Sequence, residues 1–328
     1  MKTMKKLLLS LFCLIVSVGL FAATRTVSNN AGDVAQFTSI QEAVDASSDG
    51  DIILISGSST SYGSFTVNIR LTIIGPGANT DFNGGANATI GTLTFGSNQA
   101  SQSILLGLNI GAIIIGVADC DEVQVRRCQV NYLYHSPNDP SRIPQNWLLE
   151  ENNLYGSGVY NYYDNNLTAN WTIRNNYMNT CVINGSILSN NVYYAGSIQG
   201  RANVITNSVF YGSSFSLNQS SIANSIFNNA PNIDFSANSG SGNFLETDPQ
   251  FVNFTFSSDL YRMDLSLQPG SVGINAGTDG TDIGLFGGKG FLVSGLPGIP
   301  SVESLVILNP TVPQNGTLNI QVEGKANN

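Results

Sequence analysis

The sequence predicts an all-β solenoid, a coiled stack of short β-strands. Three observations predict it. A short phrase recurs along the middle of the chain: an aliphatic residue, a turn-former, then an aliphatic or aromatic residue three positions further on. It reads LLGLNI (105–110), VRRCQV (125–130), LEENNL (149–154), IRNNYM (173–178), LSNNVY (188–193), ITNSVF (205–210) and IANSIF (222–227). The turn position falls on Gly107, Arg127, Glu151, Asn175, Asn190, Asn207 and Asn224, at intervals of 20, 24, 24, 15, 17 and 17 residues. A period near 20 that carries strands and turns, not helices, marks a stack in which each repeat covers its neighbour.

The elements follow in order. Residues 1–23 read as an export signal, with Lys2, Lys5 and Lys6, an apolar run from Leu7 to Phe21, and Ala22-Ala23 at the cleavage site. Removing it takes three lysines and no acids, so the net charge moves from −9 to −12. The apolar run is short for a membrane span, and no other segment approaches one. Residues 36–47 (QFTSIQEAVDAS) predict one short amphipathic helix, with Ser39 and Glu42 as a capping box and Ile40, Ala43 and Val44 on its apolar face. GDIILISG (50–57) and RLTIIGPG (70–77) read as strands closed by glycine turns.

This order of IQEAV helix, DGDII strand and LTIIGPG strand resembles the N-terminal cap and first coils of right-handed parallel β-helix proteins with the pectin-lyase-like fold. The C-terminal phrases resemble the same group. DPQFVN (248–253) and YRMDLSLQPGSVGINAGTDGTDIGLFGG (261–288) are similar to the closing segment of secreted bacterial β-helix proteins. The chain departs from that pattern at Val272, where the pattern has Pro, and at Asn275, where it has Asp. The resemblance spans residues 35–288 and implies a single-stranded right-handed stack with a helical N-terminal cap. A linker at 291–300 then leads to a strand–turn–strand tail at 301–325, of a kind that follows β-helices in secreted proteins of Bacteroidetes type. The expected division is signal 1–23, β-helix domain 24–290 and tail 291–328.

In such a stack equivalent positions form columns. One column reads Val125, Leu149, Ile173, Leu188, Ile205, Ile222, and another Val130, Leu154, Met178, Tyr193, Phe210, Phe227. These are the expected core, with Trp147 and Trp171 also turned inward by alternation. The turn column ends in four asparagines, which tolerate a left-handed backbone and whose stacked amides are expected to bond from coil to coil. Arg126, Glu150 and Arg174 are expected to form a surface ion-pair column, with Arg127 and Glu151 as a second pair. A contact with an acidic sugar is the other reading of Arg126 and Arg174.

Charge limits the partners. The chain is acidic and poor in charge, with 22 Asp and Glu against 13 Lys and Arg. Nucleic acid and anionic membranes are excluded as partners, because both require clustered cations. Once the signal with Cys13 is removed, Cys120, Cys128 and Cys181 are an odd set and read as small apolar fillers, with a Cys120–Cys128 bridge as the alternative.

Two neighbouring coils are long, and their extra residues are where a solenoid places a binding surface. The first insertion, 131–146, holds His135, Asp139 and Arg142, the candidate acid–base group. The second, 155–166, holds Tyr155, Tyr160, Tyr162, Tyr163 and Asp164, a set suited to sugars: rings for the pyranose face, amides and carboxylates for the hydroxyls. Asp119, Asp121 and Glu122 are the densest acidic cluster and the candidate Ca²⁺ ligands; otherwise no cofactor is expected. NAGTDGTDIG (275–284) has the composition of a Ca²⁺ loop but matches the closing turn of the resembled group, so a structural role is expected. The Gly-His-Gly phrase of hydrolases of this fold and the Trp/Asp/His phrase of pectate lyases are missing. The function expected is therefore an exported monomer that binds polysaccharide or a cell-surface glycan without catalysis, in the periplasm, on the outer surface or in the medium. A diverged polysaccharide lyase or glycoside hydrolase and a purely structural solenoid are the alternatives.

Overall fold

The computed structural model describes residues 22–117, 119–136, 142–154, 156, 158–161, 167–229, 232–234, 236–255, 260–309 and 311–326. The chain coils into a parallel β-solenoid of about nine turns. One sheet pairs eleven strands in chain order: Thr24–Val27, Ile52–Ile55, Thr72–Ile74, Ile104–Leu106, Gln124–Arg126, Leu148–Glu150, Thr172–Arg174, Ile187–Ser189, Val204–Thr206, Ser221–Ala223 and Ser239–Ser241. The second sheet starts with Phe65–Val67 and three long strands, Thr89–Phe95, Asn109–Ile115 and Gln129–His135. Beyond His135 it splits into two rows. One row is Asn153–Leu154, Tyr177–Met178, Val192–Tyr194, Val209–Tyr211 and Ile226–Phe227; the other is Gly158–Tyr160, Cys181–Val182, Ser197–Arg201 and Ser214–Asn218.

Corners set the repeat. The sequence-predicted turn residues all lie in the left-handed region, from Gly107 (φ 65°) through Arg127 (51°), Glu151 (56°), Asn175 (52°), Asn190 (55°) and Asn207 (53°) to Asn224 (46°). A second left-handed column, missed in the sequence, runs through Gln102, Glu122, Asn146, Asn170, Gly185, Ala202 and Gln219. Each member precedes the first corner of its coil by the same spacing, so the strands of the first sheet from Ile104–Leu106 to Ser221–Ala223 are clipped to one length. The insertions and deletions that vary coil length all fall elsewhere.

From the Glu151 corner onward the next side chain turns inward and binds the preceding coil. Asn152 Oδ1 accepts from the Cys128 amide at 2.9 Å, Asn176 Oδ1 from Asn152 N at 2.9 Å, and Asn191 Oδ1 from Asn176 N at 3.0 Å; Ser208, Ser225 and Asn243 continue the series. The coil-to-coil amide ladder is therefore one residue past the expected column. In the left-handed corner the Asn itself points out of the stack, and its successor is the residue that can reach the next buried N–H. Ser186, Asn203, Ser220 and Asn238 do the same after the second corner.

The interior columns match the sequence reading. Val125, Leu149, Ile173, Leu188, Ile205 and Ile222 are in register and fully buried, as are Leu154, Met178, Tyr193, Phe210 and Phe227. Rings stack along them: Trp147 on Trp171 at 5.0 Å and 10°, Tyr193 on Phe210 at 4.8 Å and 9°, Phe210 on Phe227 at 4.8 Å and 19°. Cys120, Cys128 and Cys181 are buried free thiols in this core, each pushed up to about 12 by burial.

The N-terminal end differs from expectation. A helix forms at Ile40–Asp45 with Ile40, Ala43 and Val44 buried, but Ser39 makes no side-chain capping bond. The edge of the first sheet is the strand Thr24–Val27 and not a helical cap. Val27 alternates into the core there, and Asp51 anchors the strand by accepting from Ala23 N at 2.7 Å and from Arg25 at 3.2 Å. A helix of six residues is too short to seal a two-sheet end.

The C-terminal part wraps the outside. Phe251–Asn253 pairs antiparallel with Asp264–Leu267. Residues 276–296 then run back along the stack, and the outward side chains of the corner column hold them. Asn224 donates to Ala276 O (2.8 Å), Asn207 to Thr278 Oγ1 (3.1 Å), Asn190 to Asp282 O (3.4 Å), and Asn175 to Leu285 O and Gly287 O (2.9 and 2.8 Å). Glu151 accepts from Leu292 N (3.3 Å), and Arg127 donates to Leu296 O (3.0 Å). Gly287 lies so close that a β-carbon would sit 1.8 Å from Asp282 O. Beneath this strap lies a second apolar cluster outside the stack, in which Tyr177, Val192, Val209 and Ile226 meet Leu260, Leu265, Ile283, Leu285 and Phe291. The chain ends in an antiparallel hairpin, Ser301–Ile307 with Ile320–Lys325.

Candidate functional site

The strand Gln129–His135 reaches further than the sequence suggests, because 131–135 was expected to be loop. It continues the pattern set on the two preceding coils by Thr92-Leu93-Thr94-Phe95 and Ala112-Ile113-Ile114-Ile115. Leu133 and His135 take the inward positions; Tyr132 and Tyr134 take the outward ones. On the next coil Tyr160 stands in register with Tyr134, and Gly158 stands beside Tyr132. The side-chain-free glycine leaves the Tyr132 ring room to lean toward Tyr160. Ring centroids are 4.7 Å apart for Tyr132–Tyr134 and 5.5 Å for Tyr132–Tyr160, with interplanar angles of 36° and 55°. The three half-buried rings form one continuous aromatic face on the outside of the second sheet.

Burial and the neighbouring phenols of Tyr160 and Tyr134 raise the Tyr132 pKa. It stays a neutral hydroxyl that can both donate and accept a hydrogen bond. Such a face offers apolar ring area with polar rims, which is the chemistry of contact with a sugar ring. Tyr132 and Tyr134 were missed as site residues. The signal was present, since NYLYH lies 20 residues after GAIII and alternates in phase with it.

The other candidates are placed as follows. His135 succeeds Val67, Phe95 and Ile115 in an inward column and is 5% exposed. Burial lowers its pKa to about 4, so the imidazole is neutral and turned away from the outward tyrosines. Arg142 pairs with Asp119 at 3.6 Å. Asp139, Tyr155, Tyr162, Tyr163 and Asp164 lie outside the described residues. The acidic cluster is divided among separate bonds. Asp119 also accepts from Asn98 (3.2 Å), Asp121 from Gln145 N (2.8 Å), and Glu122, at a corner, from Gln102 (2.9 Å). Among the described residues no three acidic, His or Cys side chains converge as a metal site. In the 275–284 turn, Asp279 holds Thr281 (2.7 Å) and Asp282 accepts from Asn275 N (2.9 Å).

The expected column of Arg126, Glu150 and Arg174 forms, but it is not a surface pair. Glu150 is 1% exposed and takes Arg126 at 2.7 Å and Arg174 at 2.6 Å, with Lys289 of the strap at 3.9 Å. Arg127 and Glu151 pair at 2.9 Å. Three cations around one buried carboxylate leave surplus positive charge on an acidic molecule. Among the described residues no helix is long and apolar enough to cross a membrane. Compared with models of known protein families the chain matches none, and compared with curated proteins it again has no match.

Proposed function

We propose that this chain is an exported, non-catalytic binder of polysaccharide or cell-surface glycan, working outside the cytoplasm and built on the pectin-lyase-like variant of the β-helix. The continuous aromatic face of Tyr132, Tyr134 and Tyr160 carries the reading. It stands on the coils whose insertions hold Tyr155, Tyr162, Tyr163 and Asp164. Three adjoining, mutually tilted rings on a paired sheet offer a sugar chain a preorganised platform, which limits the ordering cost of binding. The test is affinity electrophoresis of the mature chain through native gels, each holding one polysaccharide, with and without Ca²⁺. Retardation without loss of polymer is expected in at least one gel. Tyr132→Ala, Tyr134→Ala and Tyr160→Ala together should weaken it by about tenfold or more. Unchanged retardation in that variant would sink this site. A cleared zone would move the protein to the lyase or hydrolase class, and no retardation on any polymer would favour a structural solenoid.

A second reading rests on the cluster around Glu150: a carboxylated or sulfated sugar contacts Arg126 and Arg174. Arg126→Gln with Arg174→Gln should then release acidic polysaccharides and leave neutral ones retained.

A further inference from the structure

One outward column of the second sheet changes character along the stack. Thr89, Asn109, Gln129 and Asn153 are polar; their in-register successors Tyr177, Val192, Val209 and Ile226 are apolar. The strap and the segment around Leu260 and Leu265 seal the apolar half completely. Beside Asn109 and Gln129 of the polar half lies a cavity of about 280 Å³. Three distant segments wall it: the loop at Asn79 and Asn87, the solenoid wall at Asn109 and Gln129, and the turn at Tyr261 and Arg262.

The walls are fixed. Asn79 is 3% exposed, donates to Val293 O at 2.9 Å and accepts from Asp81 N at 3.1 Å, which pins the loop to the strap. Asn87 accepts from Asn83 at 2.6 Å. Asn109 and Gln129 are different. Their backbones belong to the ladder, but among the described residues their side-chain amides have no protein partner. Two amides held side by side on adjacent strands are therefore presented to the cavity. A column whose only role was packing would continue the aliphatic series under this turn, as it does four coils on.

We propose that this cavity binds a single neutral sugar unit, separately from the aromatic face. A carboxamide both donates and accepts, as does a sugar hydroxyl, so a lining of amides with a phenol matches a polyol without leaving a charge unpaired. Asp81 and Arg262 are the charged residues of the lining and have opposite sign, so no net formal charge selects an ion. The volume is at the small end of ligand cavities and suits one ring more than a chain.

The test is saturation-transfer NMR on the full mature chain with glucose, galactose, mannose and N-acetylglucosamine, and with glucuronate and glycine as charged controls. At least one neutral sugar should receive saturation. Asn109→Leu with Gln129→Leu, which gives these positions the aliphatic character of Val192 and Val209 in the same column, should raise its Kd by at least tenfold at unchanged Tm. If that pair lowers Tm, Gln129→Ala alone should raise the Kd severalfold. The Tyr132, Tyr134, Tyr160 triple alanine variant should keep the signal. Saturation of no neutral sugar, preference for a charged control, or a Kd indifferent to Asn109 and Gln129 overturns the proposal. A signal lost only in the tyrosine variant overturns it too, while supporting the aromatic face as the binding site.

Discussion

An asparagine at or just after the first corner has one of two roles, and its position relative to the corner decides which. At the corner, Asn175, Asn190, Asn207 and Asn224 take left-handed backbone and point outward to the strap. One residue later, Asn152, Asn176 and Asn191 point inward and satisfy buried amides of the neighbouring coil. Asn176 also donates to Leu149 O and Arg174 O, both at 2.9 Å. Asn176→Ala leaves several buried groups unpaired and should cost about 1–3 kcal/mol in urea unfolding. His135 presents the opposite case, a titratable group in an apolar column. Its folded pKa, about 4, is below its ordinary 6.5, so the unfolded chain binds the proton more readily. Stability should fall as pH drops from about 6.5 toward 4 and level off below, and His135→Phe should remove that component from a series of melts.

At the scale of elements, the corner pairs explain why the first sheet is regular while the coils differ in length. Insertions lie outside the clipped strands, so they change loops without shifting register. The strap is the element that sequence described only in part. Its glycine-rich phrase predicted a closing turn, but its path along the stack depends on partners at Asn175, Asn207 and Arg127, about 70 to 170 residues away in the chain. Ile283→Ala and Leu285→Ala, each removing a buried aliphatic side chain from the outer cluster, should cost about 2–5 kcal/mol. Hydrogen exchange should then rise at amides 276–287 before it rises in the interior columns.

The whole molecule is a rigid stack with an inner core and a second, outer one beneath the strap. That leaves distinct faces for ligands. The aromatic face carries no charge, and the Glu150 cluster carries a surplus of positive charge on a chain of net charge −9. If both contact glycans, retention of a neutral polysaccharide should be insensitive to added salt. Retention of an acidic one should decline between about 0.05 and 0.5 M NaCl, where screening shortens from above to below the ~10 Å scale. Equal salt sensitivity for the two polymers would remove the Glu150 cluster from binding.

The sequence alone determined the repeat, one of the two columns of left-handed corners and two core columns. All of these depend on local patterning: an Asn or Gly that tolerates the corner, and aliphatic residues at a fixed distance from it. It also paired Arg127 with Glu151, whereas Tyr160, expected on an insertion, lies on the strand Gly158–Tyr160. Tertiary structure decided the rest. Whether Glu150 is a surface or a buried carboxylate depends on a strap more than a hundred residues later, and the inward turn of His135 depends on where the strand Gln129–His135 ends. The aromatic face needs rings from two coils, and the amide-lined cavity needs three segments spread from Asn79 to Arg262. A local pattern cannot encode such meetings, because they arise only once the stack has brought distant residues into register.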